Sequence, residues 1–83
     1  MELETSVIRV LAVDDHPIMV EGLTSVIDAE PDMQMVAEAS TGEDAIVLYR
    51  EHHPDVTLMD LELPGISGEQ TIRTIHDEFP DAV

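Results

Sequence analysis

The feature that most constrains this chain is an apolar run that ends abruptly in two carboxylates. Residues 7–13 read VIRVLAV, and Asp14 and Asp15 follow at once. A nearly unbroken run of β-branched and aliphatic side chains is typical of a strand that is covered on both faces, as in a parallel sheet. Parallel strands need crossover connections, which are usually helices. The run therefore predicts a chain in which strands and helices alternate.

A helix is predicted directly after this strand. Proline is favoured in the first turn of a helix, where its missing N–H group costs nothing, and Pro17 occupies that place. The predicted helix spans residues 17–30. Its apolar side chains fall on one stripe, which we expect to face the core. The stripe consists of Met19, Leu23, Val26 and Ile27.

Strand and helix signals then repeat twice. Residues 33–39 and 56–59 read as strands, and capping-box spacings starting at Ser40 and Ser67 predict the helices that follow them. Three alternations with short connections predict an α/β fold whose parallel strands are joined by right-handed crossovers. The inward-facing side chains of the last helix are predicted to be Ile72, Ile75 and Phe79.

The charge balance excludes several classes of partner. The 83 residues include 19 acidic side chains, three arginines and no lysine, which gives a net charge of -16. Such a segment repels phosphates and anionic lipids, so we expect no direct nucleic acid contact and no membrane contact. No stretch approaches the roughly 20 apolar residues that span a bilayer. The acidic start of the chain is unlike a signal peptide, and there is no cysteine, so we predict a cytoplasmic protein.

Carboxylates follow two of the three predicted strands. Asp14 and Asp15 come after the first strand, and Asp60 comes after the third. Ligands of doubly wound sheets bind beyond the carboxyl ends of the strands, so these acids are expected to converge in one crevice. Ionised carboxylates repel one another unless a cation bridges them, and Mg²⁺ suits a small site of oxygen ligands. Alternatively, Asp14 and Asp15 simply cap the helix that begins at Pro17.

Two stretches carry a resemblance to a known family. Residues 10–17, VLAVDDHP, and residues 55–68, DVTLMDLELPGISG, are similar to the two signature regions of response-regulator receiver domains. The Asp-Asp-His-Pro form resembles the branch whose members usually carry a C-terminal helix-turn-helix DNA-binding domain. The resemblance covers essentially all of residues 1–83. It implies a flavodoxin-like doubly wound parallel sheet, of which this chain is the N-terminal (βα)3 portion with strand order 2-1-3.

The resemblance also implies roles for particular residues. Asp60 would accept a phosphoryl group from a phosphohistidine of a sensor histidine kinase. Asp15 and Asp60 would bind Mg²⁺ directly, with the backbone carbonyl of Glu62 as a further ligand and Asp14 acting through water. For His16, a packing role at the entry of the first helix is expected. The chain would then be a signalling module of a transcriptional regulator and not an enzyme.

The family pattern continues beyond Val83, to a fourth strand that ends in Ser or Thr and a fifth that ends in Lys. The resemblance therefore implies a partial receiver domain that is phosphorylated slowly. The third strand is expected to be an unpaired edge, and the chain is expected to self-associate. A monomeric sedimentation profile at micromolar concentration would contradict that expectation.

Two other functions stay open at this point. One is a pseudo-receiver that is not phosphorylated and acts as a protein-interaction or dimerisation module. The other is a metal-dependent phosphohydrolase with Asp60 as its nucleophile, although the sequence offers no clear general acid for the leaving group.

Overall fold

The computed structural model describes residues 6–83, and within them strands and helices alternate as predicted. All strand pairings are parallel, and the strand order is β2-β1-β3. This confirms the flavodoxin-like α/β fold with strand order 2-1-3. The elements in chain order are β1 Ile8–Val13, α1 Pro17–Asp28, β2 Met33–Ala39, α2 Gly42–His52, β3 Val56–Met59 and α3 Gly68–Glu78.

The pairing of the central strand β1 with β2 and β3 places the carboxyl ends of all three strands at the same level in the sheet. Val13, its last residue, pairs with Ala39 at the end of β2 and with Met59 at the end of β3. The pairing with β2 contains a bulge, because Val10 pairs with Met35 whereas Leu11 pairs with Ala37. The extra residue in β2 shifts the pairing by one position, so the register of its second half could not be extrapolated from that of its first half.

The side chains of β1 alternate between the two faces of the sheet. Leu11 and Val13 belong to the main hydrophobic core beneath α2 and α3, whereas Val10 and Ala12 point to the face that carries α1. All four are essentially inaccessible to solvent, as expected for a strand covered on both faces. The other buried members of the core under α2 and α3 are Ala39, Ala45, Tyr49 and Ile75.

The apolar stripe predicted for α1 is only partly buried. Ile27 is buried and Leu23 is half-buried, but Met19 is 54% exposed and Val26 is 66% exposed. Ile72 of α3, also predicted to face inward, is exposed as well. These predictions were wrong because a helical stripe is buried only where another element packs on it, and residues 6–83 provide no such element for these positions.

The helix boundaries differ slightly from the predicted ones. α1 ends at Asp28 rather than at residue 30. The N-cap of α2 is Thr41 rather than Ser40, since the Thr41 hydroxyl accepts a hydrogen bond from the Asp44 amide at 3.1 Å. The capping box predicted at Ser67 is confirmed by both of its reciprocal hydrogen bonds with Gln70.

Some backbone amides on the outer edges of the sheet have hydrogen-bond partners. Within residues 6–83, β3 has no strand partner on its outer side, as predicted, although the Thr57 amide there donates to the Val83 carbonyl at 2.9 Å. At the other edge, the Met35 amide donates to the Asp28 carboxylate at 3.0 Å. Self-association of the chain therefore stays a prediction. No helix within residues 6–83 has the length and apolar character needed to cross a membrane.

Candidate functional site

Backbone hydrogen bonds hold the acidic residues at the end of the sheet. The Asp14 amide donates to the Ala39 carbonyl at 3.0 Å, and the Asp60 amide donates to the Val13 carbonyl at 2.9 Å. The parallel ladder thus continues one residue past the ends of β1 and β3. Because these strands are neighbours and end level, the residues that follow them must lie side by side.

The structure brings the three predicted carboxylates together. Asp14, Asp15 and Asp60, together with His16, each offer one ligand atom, and these atoms all lie within 4.8 Å of one another. The Asp60 side chain is 21% exposed, so it is held in place but still accessible from solvent. Carboxylates this close repel one another strongly unless positive charge lies among them.

His16 supplies such a charge when it is protonated. Its Nδ1 atom lies 2.7 Å from an Asp14 oxygen, 3.2 Å from Asp15 and 3.9 Å from Asp60. The hydrogen bond to Asp14 raises the pKa of His16, with the nearby charges adding to the effect, and the same hydrogen bond lowers the pKa of Asp14. His16 thus forms part of the acidic cluster in this structure.

The packing role expected for His16 was wrong. Its side chain is 69% exposed, because it leans over the carboxylates instead of inserting into the core. Capping does not explain the acid pair either. His16 itself is the N-cap of α1, and among the described residues it makes no side-chain capping hydrogen bond. Asp14 instead accepts the His16 amide at 2.9 Å, in the turn that precedes the helix.

Glu62 contributes to the site through its backbone. Its amide donates to Oδ1 of Asp60 at 3.0 Å, a local turn that fixes the orientation of the Asp60 carboxylate. Its own side chain is exposed and lies outside the group of four potential ligands found within residues 6–83. The metal role predicted for its backbone carbonyl stays a prediction.

Two glycines shape the loop that follows Asp60. Gly65 has φ of 79°, in the left-handed region that side chains disfavour. Gly68, the first residue of α3, packs so closely on the backbone that an added Cβ would overlap the Asp60 carbonyl oxygen. The predicted signature included this glycine, but the sequence alone gave no sign that it contacts Asp60 itself. A close backbone approach becomes visible only in three dimensions.

The donor set fits a hard cation. Carboxylate oxygens are the ligands that Mg²⁺ prefers, and the ion typically uses one or two carboxylates and retains several waters. Asp14, Asp15 and Asp60 provide this arrangement in a partly exposed crevice. The site also has a candidate nucleophile, because the Glu62 hydrogen bond engages only one oxygen of Asp60.

A parallel three-stranded sheet whose strands end level and are followed by carboxylates defines a class of protein domain. Comparison with known sequences identifies the same class. The sequence model of the response regulator receiver domain matches residues 10–83. The chain therefore belongs to the response regulator receiver domain family, as the two signature regions predicted.

Particular relatives agree with this assignment. The chain is 42% identical over 74 residues to the response regulator GacA of Pseudomonas aeruginosa and 40% identical over 74 residues to the transcriptional regulatory protein LiaR of Bacillus subtilis. In both cases the match covers 89% of this chain and 35% of the relative. The chain thus spans about a third of the length of these curated relatives.

A solved structure shows the same similarity in three dimensions. The crystal structure of a two-component response regulator of the LuxR family from Aurantimonas sp. SI85-9A1 superposes with a TM-score of 0.88 at 43% sequence identity. The match covers 93% of this chain and 55% of that one.

Proposed function

We propose that this chain is the phosphoacceptor part of a response regulator, in which Asp60 accepts a phosphoryl group from a phosphohistidine of a sensor histidine kinase. The observation that carries the proposal is the convergence of the Asp14, Asp15 and Asp60 oxygens within 4.8 Å at the level ends of two strands. The Glu62 amide, which donates to Oδ1 of Asp60 at 3.0 Å, supports the proposal because it holds that carboxylate in one orientation.

Asp15 and Asp60 are the residues that would hold Mg²⁺ directly, with the backbone carbonyl of Glu62 as a further ligand and Asp14 acting through water. A bound Mg²⁺ would offset the repulsion between the carboxylates and the phosphoryl oxygens. Asp14, hydrogen-bonded to His16 and to the β2 backbone, keeps its negative charge beside the direct ligands.

The chain itself contributes position and orientation to the transfer. The free oxygen of Asp60 attacks phosphorus, a P–O bond forms, and the bond from phosphorus to the kinase imidazole nitrogen breaks. The transition state of such transfers is loose, so catalysis depends mainly on alignment and on charge stabilisation. The hydrogen bond from the Asp60 amide to the Val13 carbonyl fixes the backbone of the attacking residue, and the turn bond from the Glu62 amide orients its carboxylate.

The wider role follows from the relatives. Proteins named as transcriptional regulators match this chain over most of its length, which supports a receiver that controls transcription through a DNA-binding domain elsewhere in the protein. The chain would act as an acceptor and switch rather than as a turnover enzyme. A cytoplasmic location suits this role and is part of the proposal.

Intact mass measured after incubation with acetyl phosphate tests the proposal. The expected result is a Mg²⁺-dependent gain of one phosphoryl group by the wild-type chain and no gain by Asp60→Asn. Asp77→Asn is the matched control, because Asp77 is exposed on α3 and makes no hydrogen bond or ion pair within the described residues.

A gain that does not need Mg²⁺ would count against the proposed role of the metal. Two results would count against Asp60 as the acceptor: an unmodified wild-type chain and an unchanged gain in Asp60→Asn. The first would favour the pseudo-receiver alternative, which also predicts no Mg²⁺ binding. Multiple turnover of a simple phosphate ester would instead revive the phosphohydrolase alternative.

A further inference from the structure

The beginning of α2 makes an unusually close contact with the beginning of α3. Gly42, the first residue of α2, is buried, and a Cβ added to it would overlap the hydroxyl of Thr71 and lie 2.7 Å from Cγ1 of Ile66. Its φ lies outside the left-handed region, so no special backbone conformation requires glycine at this position. The residue is small because there is no room for a methyl group between the two helices.

The first turn of α3 behaves as one stiff unit. Ser67 and Gln70 close a reciprocal capping box, with both hydrogen bonds at 3.1 Å. The hydroxyl of Thr71, which is completely buried, donates to the Ser67 carbonyl at 2.8 Å. A push on Thr71 is therefore transmitted to the residues at the start of the helix, because rotation of its side chain would break a buried hydrogen bond.

The same turn touches the backbone of the proposed acceptor. A Cβ on Gly68 would overlap the Asp60 carbonyl oxygen and lie 2.7 Å from Cα of Leu61. The Gly68 amide also donates to the Leu61 carbonyl at 3.4 Å. These are backbone atoms, so they cannot rotate away as a side chain can. The first turn of α3 is thus held between Gly42 on one side and Asp60 on the other.

We propose that Gly42 is a positioning residue for Asp60, acting through Thr71 and Gly68. A larger residue at position 42 must displace the first turn of α3, and this displacement must move the Asp60 backbone. The inference rests on the proposed function of Asp60. It adds that the start of α2, which contributes no side chain to the acidic cluster, determines how accurately that cluster is assembled.

Gly42→Ala tests the inference, with Gly22→Ala as its matched control. Gly22 is an exposed residue of α1 with no described atom within 4 Å of the added methyl group. In the metal-free chain, Gly42→Ala is expected to shift the backbone amide NMR signals of Asp60 and Leu61, and Gly22→Ala is expected to leave them in place. Calorimetry should show Mg²⁺ affinity reduced on the order of tenfold by Gly42→Ala alone, as is usual when support for a metal ligand is lost.

A compensating pair separates positioning from general destabilisation. Thr71→Ala removes the hydroxyl that the new methyl group would overlap, so Gly42→Ala should shift the Asp60 signal and lower the Mg²⁺ affinity less in a Thr71→Ala chain than in the wild-type chain. If Gly42→Ala does not fold, Thr71→Ala alone is informative. It removes the contact with Gly42 and the bond to Ser67 without overfilling the core, and it should still shift the Asp60 signal.

The inference is wrong if the Asp60 and Leu61 signals of Gly42→Ala match those of Gly22→Ala. It is also wrong if Ile27→Val, a core change in α1, lowers Mg²⁺ affinity as much as Gly42→Ala does. A wild-type chain that binds no Mg²⁺ would overturn the proposed function instead. The amide signals of the metal-free chain would still decide whether Gly42 positions Asp60.

Discussion

The two faces of the sheet are built from similar residues but are closed to different degrees. Beneath α2 and α3, the buried side chains form one continuous core that includes Leu11 and Val13. On the opposite face, α1 buries Ile27 and leaves Met19 and Val26 exposed. The difference shows that an apolar helix face is buried only where a second element covers it. Two adjacent helices cover one face, whereas α1 covers the other alone within residues 6–83.

The candidate site takes residues from both faces of the sheet: the closed face, which carries α2 and α3, and the open face, which carries α1. Asp60 is supported from the closed face, where Gly68 and the first turn of α3 lie against its backbone. Asp14, Asp15 and His16 belong to the entry of α1 on the open face, and His16 is largely exposed. We therefore expect the proposed acceptor, Asp60, to be the more rigid half of the site and the acid pair with its histidine to be the more adaptable half.

The largest expected effect on stability separates two variants, each of which shortens one leucine on one face of the sheet. Leu11 is completely buried at the centre of the closed face, so Leu11→Ala should lower the free energy of unfolding by about 2–5 kcal/mol. That is a large part of the roughly 5–15 kcal/mol that stabilises a typical small protein. Leu58, on β3 towards α1, is 37% exposed, and Leu58→Ala should cost less than about 1.5 kcal/mol.

Urea denaturation followed by circular dichroism measures both changes. Equal losses for the two variants would show that the face carrying α1 is as densely packed as the other. A change in the denaturation slope for Leu11→Ala would show that the variant changes the compactness of the native or denatured state or no longer unfolds in two states.

Much of the fold could be predicted because its signals are local. The apolar run of β1, the proline that opens α1 and the capping box at Ser67 each depend on a few neighbouring residues. The strand order came from family resemblance and is confirmed. The assignment of the loop after β3 as the acceptor loop also came from the resemblance and stays a prediction. The exposed apolar residues of α1 were predicted wrongly because a hydrophobic stripe does not reveal whether another element covers it.

The parts that could not be predicted depend on contacts between distant segments. The bulge between β1 and β2 is a property of their pairing and leaves no clear mark in either strand alone. The convergence of Asp14, Asp15 and Asp60 could be expected from the strand ends, but the position of His16 among them could not, because a rotatable side chain decides it. The contact of Gly42 with Thr71 likewise exists only when α2 and α3 are packed.

A substitution of intermediate effect tests the open face directly. Gly22 lies within α1, where glycine lowers helix stability, and no described atom would touch an added methyl group. Gly22→Ala should therefore stabilise the chain by about 0.5–1 kcal/mol. Gly42→Ala, also a helical glycine but on the closed face, should destabilise it. The midpoint of thermal unfolding gives the sign of both changes, and a destabilised Gly22→Ala would mean that α1 is covered at this point.

The smallest expected effect concerns an ion pair at the outer side of the closed face. Arg50 of α2 binds the Glu78 carboxylate of α3 through three hydrogen bonds of 2.8–3.1 Å. This bond lowers the pKa of Glu78 below its ordinary value of 4.5. A carboxyl group whose pKa is lowered on folding stabilises the fold above its unfolded pKa. That contribution is lost as the pH falls below about 4.5 and through the lowered value.

Both partners of the pair are exposed, so its contribution should be small and reduced by salt. We expect Glu78→Gln to be slightly less stable than wild type at pH 7 and equally stable at the acidic end of the titration. If Glu78→Gln lowered the free energy of unfolding as much as Leu11→Ala does, charge rather than packing would hold α2 to α3. The contrast between the two faces would then need another explanation.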